Sequence, residues 1–107
     1  MEAAEEKSSP VELLLPEGGP PLNRHFSLQV LVPGPAPEKV VVDADMPAHR
    51  HGMLTQPVLT PQEEGRYRVD GMLLHMPGAW VITVDVTRNG VVERSEFPLN
   101  LDFAGVQ

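Results

Sequence analysis

The chain has 107 residues, enough for one domain of ordinary size with a real hydrophobic core. It has no cysteine, which excludes disulfide bonds and thiolate metal sites. Its formal net charge of −7 argues against a nucleic-acid partner or an anionic membrane surface. No apolar run approaches the roughly 20 residues of a membrane-spanning helix, so we expect no membrane insertion by this chain.

The chain is predicted to consist of strands. Residues 1–10 are polar and acidic, which predicts a disordered N-terminal lead before a single domain over residues 11–107. Twelve prolines are spread along the sequence and leave no room for a helix of normal length. Alternating apolar and polar residues predict strands at 11–15, 25–32, 39–45, 54–60, 65–74, 79–88 and 91–101, with a loop at 46–53. Pro57 interrupts the short strand at 54–60, which suits a sheet edge.

The strongest local signal is the Asn-Gly pair at residues 89–90, which predicts a type I′ turn of two residues between the last two strands. This turn places Trp80 opposite Leu99 on one face and Asp85 opposite Arg94 on the other. Apolar pairs on one face and opposite charges on the other are typical of an antiparallel sheet with one buried side.

Seven short strands at regular spacing predict an all-β fold, an immunoglobulin-like antiparallel β-sandwich. In the strand at 65–74, Tyr67, Val69 and Leu73 are predicted to share one face. The residues predicted to form the core are Phe26, Leu28, Val30, Val40, Val42, Tyr67, Val69, Trp80, Ile82, Val84 and Phe97.

The chemically distinctive segment is Met46-Pro-Ala-His-Arg-His-Gly-Met53, which holds two histidines and two methionines. Imidazole suits copper and zinc, and thioether sulfur selects Cu(I) over harder metals. In extended backbone His49 and His51 point the same way, with Cα atoms about 6.6 Å apart, so both rings can reach one ion. The segment predicts a copper site in which Cu(I) is favoured.

The loop that begins at His75 is expected to lie beside the segment 46–53. If the strands alternate in direction, loop 46–53 and the loop that begins at His75 lie at the same end of the sandwich, which we call the loop pole. His25 falls at that end as well, where a structural role is expected. The candidate metal ligands are His49, His51, Met53, Met46, His75 and Met76.

Ordinary structural roles stay open for these residues. His49 and His51 are also compatible with polar loop residues that bond to the backbone, and His75 with a cap at the end of a strand. Met46 and Met72 are of the type that fills irregular gaps in a core.

Three segments resemble the YtkA-like family, which includes FixH-like extracytoplasmic domains. They are Met46-Pro-Ala-His-Arg-His-Gly-Met53, Gly65-Arg66-Tyr67-Arg68-Val69-Asp70-Gly71 and Met76-Pro77-Gly78-Ala79-Trp80. The resemblance covers about residues 23–101 and implies an immunoglobulin-like sandwich outside the cytoplasm, often near copper handling or respiratory oxidase assembly. By position, His49, His51 and Met53 match the family's His-x-His-Gly-Met core, and Met76 matches the methionine before Gly and Trp.

Two functional classes follow. The first is a periplasmic or otherwise extracytoplasmic module of a bacterial envelope that binds copper and exchanges it with an envelope protein. The second is a metal-free interaction domain that contacts an envelope partner through the loop pole. Whether the full-length protein is tethered stays open. No Gly-x-Ser-x-Gly, phosphate-loop or His-Glu-x-x-His motif is present, so we expect no enzyme and no catalytic residue.

Overall fold

The computed structural model describes residues 11–101, which form eight strands and no helix. A helix able to cross a membrane is therefore not found in that range. The lead predicted at residues 1–10 and the end of the predicted domain at 102–107 lie outside the described residues. The strands are β1 (Glu12–Leu14), β2 (Phe26–Leu31), β3 (Lys39–Met46), β4 (His51–Gly52), β5 (Val58–Pro61), β6 (Arg66–Met72), β7 (Gly78–Arg88) and β8 (Val91–Leu101).

These strands form two antiparallel sheets, in the orders β1-β2-β6-β5 and β4-β3-β7-β8. The predicted all-β class is confirmed. The two sheets give a sandwich-like arrangement, with β4 at one edge of the second sheet.

Two details of the predicted strands are wrong. Residues 51–52, predicted as loop, pair with the end of β3 as β4, because a tight turn folds them back onto it. The predicted strand at 54–60 begins only at Val58, directly after Pro57, whose ring removes the N–H that a ladder would use.

Inward-facing side chains of both sheets meet in one core, in which Trp80 is the largest fully buried side chain. Of the predicted core residues, Phe26, Val40, Tyr67 and Phe97 are only partly buried and pack against it. The fully buried residues are Leu28, Val30, Val32, Val42, Ala44, Met46, Val69, Met72, Leu74, Trp80, Ile82, Val84 and Val86.

The hairpin of β7 and β8 has the predicted turn and register. Asn89 and Gly90 have φ angles of 52° and 75°, the two positive values that a type I′ turn requires. Trp80 pairs with Leu99, and the predicted charged pair is formed across the outer face. The sheet therefore has the predicted buried side and exposed side.

The buried face of β6 switches along the strand. The pairing of β2 with β6 shifts between Phe26 and Leu28 because β6 carries one extra residue, a β-bulge. Met72 and Leu74 consequently point into the core, whereas Leu73, predicted on the inward face, is half-buried. The bulge thus anchors Leu74 in the core one residue before His75.

Trp80→Ala should lower the free energy of unfolding by about 3–5 kcal/mol, because it opens a large cavity in the centre of the core. Urea denaturation measures the difference. Leu54→Ala is the control, since its side chain is 75% exposed and the change should stay within about 0.5 kcal/mol. A loss below about 1 kcal/mol for the Trp80 variant would mean that the indole contributes little to the core.

Gly78, the first residue of β7, contacts the end of β3. Its φ is +130°, and a Cβ there would lie 2.7 Å from Cε of Met46. Gly78→Ala should therefore destabilise the fold by about 1–3 kcal/mol in urea denaturation, through overpacking and backbone strain. Gly19→Ala is the matched control, since its φ is +91° but a Cβ meets nothing within 4 Å. Equal losses in the two variants would show that the contact with Met46 costs nothing.

The ion pair of Asp85 and Arg94 should make a small, pH-dependent contribution. Two hydrogen bonds of 2.8 and 2.9 Å join the guanidinium to the carboxylate, and they lower the pKa of Asp85 from its ordinary value of 3.8. Because the folded pKa lies below the unfolded one, the stabilisation is present above the unfolded pKa and is lost as the pH falls through the folded pKa. The Arg94 side chain is 56% exposed, so water screening keeps this contribution small.

Arg94→Ala should therefore reduce the free energy of unfolding at neutral pH and have a vanishing effect in acid. Urea denaturation across the pH range measures both. Arg24→Ala removes an equal charge from an exposed arginine outside this pair and should show no such pH dependence. A difference for the Arg94 variant that grows in acid would contradict this assignment.

Candidate metal site at the loop pole

A tight turn after β3 brings His51 back beside the end of that strand. The backbone N–H groups of His49 and Arg50 both donate to the carbonyl of Met46, at 3.0 and 2.8 Å. Arg50 has a φ of 58°, the left-handed conformation that reverses the chain into β4. His51 then pairs directly with Met46.

The sheet register puts His51 on the inner face. Directly paired residues share one face of a sheet, and Met46 is fully buried. The pairing of β3 with β7 ends at Asp45 and Val81. The next residues in register are Met46 and Trp80, so Trp80 lies on the same inner face as Met46. The rings of His51 and Trp80 accordingly lie 6.5 Å apart between centroids, at 81° to each other.

The connection from β6 to β7 carries the second imidazole of the cluster, that of His75. The indole Nε1 of Trp80 donates to the carbonyl of Met76 at 2.9 Å, which fixes this connection against the core. The ring of His75 lies 5.7 Å from Trp80, at 74°. Its centroid is 5.4 Å from that of His51. Trp80 thus contacts both imidazoles edge-on.

Three of the four histidines form a continuous cluster. The centroids of His49 and His51 are 5.9 Å apart, and those of His51 and His75 are 5.4 Å apart. Two imidazoles bound to one metal at about 2.0–2.1 Å from each nitrogen have ring centres roughly 5–6 Å apart. Both neighbouring pairs therefore have a spacing that one ion could bridge.

The cluster is not a closed cage. No group of three or more His, Asp or Glu side chains in residues 11–101 is already gathered around a common point suited to a metal ion. His49 is exposed and lies in a turn, whereas His51 and His75 are half-buried. A shared ion would therefore need at least one of the three rings to reorient.

His75 carries a polar atom that the fold leaves without a bond. Its Nδ1 is buried and has no hydrogen-bond partner among the described residues. Leaving such a group unsatisfied costs about 1–3 kcal/mol. Metal ligation through this nitrogen would satisfy it, so the residues present fit a metal ion on the chemistry of the donor set.

Carboxylates lie on the opposite, outer face of the sheet that carries His51. A surface cleft of about 670 Å³ borders β4 on the outer face of the sheet. Arg94, in its wall, is already paired with Asp85, which leaves an excess of carboxylates that attracts cations. The charged residues that line the cleft are Asp43, Asp45, Glu96, Arg50 and Arg94.

The three predicted methionine ligands lie in the core or against it. Met46 is fully buried in the core, and Met53 and Met76 are partly buried against it. His25 is exposed, and no ring contact joins it to the cluster in the part of the chain that the structure describes. The structure places the rings of His49, His51 and His75 in succession, while the ligand roles of all six residues stay predictions.

Sequence reasoning missed the part that Trp80 plays here. Trp80 was predicted as core alone, yet it holds both half-buried imidazoles. The feature that could have indicated this contact is the position of Trp80, which lies in register with the end of β3. It could not be used, because residues 51–52 were predicted as loop rather than as a strand beside Met46.

Comparison of the chain with protein-family models, with curated proteins and with solved structures finds no match. The resemblance to the YtkA-like family therefore stays a sequence-based prediction. The case for a function rests on the geometry of the loop pole.

Proposed function

We propose that this domain binds one copper ion at the loop pole, through His51 and His75 with His49 as the third imidazole. The observation that carries this proposal is the buried, unpartnered Nδ1 of His75 in a ring that lies 5.4 Å from the ring of His51. A metal ion is a ligand that two adjacent imidazoles can share through their ring nitrogens.

The donor set favours copper over the other transition metals. For nitrogen ligands, affinity for divalent ions peaks at Cu²⁺ and is lower for Zn²⁺. The half-buried thioethers of Met53 and Met76 follow His51 and His75 closely in sequence, and thioether sulfur favours Cu(I). With sulfur as a fourth donor the site would keep the Cu(I) preference, and with imidazoles alone it would still prefer copper to zinc.

The proposed role is to hold copper in the bacterial cell envelope and to exchange it with an envelope protein. The excess of carboxylates beside β4 supports a cationic cargo. The extracytoplasmic location rests on the family resemblance. The proposal includes no catalysis.

A metal-free interaction domain is the second candidate. Leu54 follows the His/Met segment directly and is 75% exposed, the largest exposed fraction among the large hydrophobic residues described. A single exposed side chain is not a contiguous apolar patch, so this candidate rests mainly on the sequence prediction.

Titration of the apo protein with Cu(I), Cu(II) and Zn(II) should show one equivalent of copper bound, and more weakly bound zinc. Isothermal calorimetry gives the affinities, and backbone NMR locates the shifts at residues 46–53 and 75–76. His51→Ala and His75→Ala should abolish tight binding, since each removes one of the two braced imidazoles. Affinity should also fall in acid, because imidazole must be deprotonated to ligate.

His25→Ala is the matched control, since it removes an exposed histidine outside the cluster. It should bind copper as the unchanged protein does. Circular dichroism and urea denaturation should show that all three variants are folded. Equal affinities for all variants, or no binding of either metal, would contradict the copper proposal and favour the interaction domain.

A further inference from the structure

We propose that copper leaves the loop pole by associative exchange, in which a donor from a partner protein replaces His49 while His51 and His75 remain bound. This inference rests on the proposed copper site. It assigns unequal roles to the three imidazoles and specifies the partner as a protein that presents an exposed soft or imidazole side chain.

His51 and His75 are held in place by the core. Both rings contact the fully buried Trp80 edge-on, at 6.5 and 5.7 Å between centroids. Trp80 itself is fixed by its hydrogen bond to the carbonyl of Met76. Moving either imidazole therefore breaks its packing against a fully buried side chain.

His49 lacks this support. Its side chain is exposed, and its only ring contact among the described residues is with His51. It lies in the turn between β3 and β4, so its ring can rotate without moving either strand. Of the three imidazoles, His49 is the one whose departure costs the fold least.

The position of His49 also determines where a partner can enter. Copper held by His51 and His75 would be covered by the core on one side and open toward solvent on the side of His49. An incoming imidazole, thioether or thiolate would form its bond to copper there as the bond to His49 breaks. The oxidation state of copper does not change, and His49 leaves as a neutral imidazole.

Transfer kinetics test the order of these steps. Copper(I)-loaded protein is mixed with an excess of the chromophoric chelator bicinchoninate, and the coloured complex is followed by stopped flow. Associative exchange predicts an observed rate that rises linearly with chelator concentration. His49→Ala should weaken copper binding by about tenfold, the equivalent of about 1.4 kcal/mol. It should keep the linear dependence and raise its slope, because the entry position is then permanently open.

His25→Ala is the control and should leave both the affinity and the slope unchanged. A rate independent of chelator concentration would show that copper dissociates first, which overturns the proposal. A slope that His49→Ala leaves unchanged overturns it as well, because His49 is then not the displaced ligand. Both outcomes leave the copper site intact, whereas failure to load copper at all removes the proposed function itself.

Discussion

The indole of Trp80 is the group on which the arrangement of the loop pole depends. It is fully buried and joins three separate parts of the chain: it belongs to β7, bonds to the connection before β7 and contacts the ring on β4. Because a packed core tolerates little displacement, the two imidazoles that touch this indole take their positions from the core. Gly78 leaves room beside it for the methyl group of Met46, which a Cβ at this position would displace.

Sequence patterns predicted the features that depend on neighbouring residues. The turn at residues 89–90 and the register of β7 with β8 follow from local dihedral preferences and the alternation of side chains. The bulge in β6 could not be predicted in this way, because it is defined by how β6 pairs with β2, about forty residues earlier in the chain. For the same reason β4 was missed: two residues carry no periodicity, and their pairing with β3 defines them as a strand.

In the candidate site, too, local features were predicted and those that depend on strand pairing were not. His49 and His51 stood out by their spacing, and the alternation of strand directions placed His75 at the same end. The orientation of each sulfur could not be predicted, because one register step decides whether a side chain points to solvent or to the core. Met46 illustrates this: it is the last residue of β3, and the pairing of β3 with β7 turns its side chain inward.

The shortness of β4 has a consequence for how the domain fluctuates. Two residue pairs and the hydrogen bond from Met53 to the Ala44 carbonyl join it to β3 at the edge of the sheet, so its opening releases few hydrogen bonds besides the contact of His51 with Trp80. Such a segment belongs to the low-energy end of local unfolding, far below the free energy of global unfolding. A ligand that binds only when β4 is closed would raise the opening energy by about 2.7 kcal/mol at a concentration 100 times its Kd. Amide hydrogen exchange at residues 51–53 would therefore report occupancy of the loop pole, since occupancy sets how often this edge of the sheet separates.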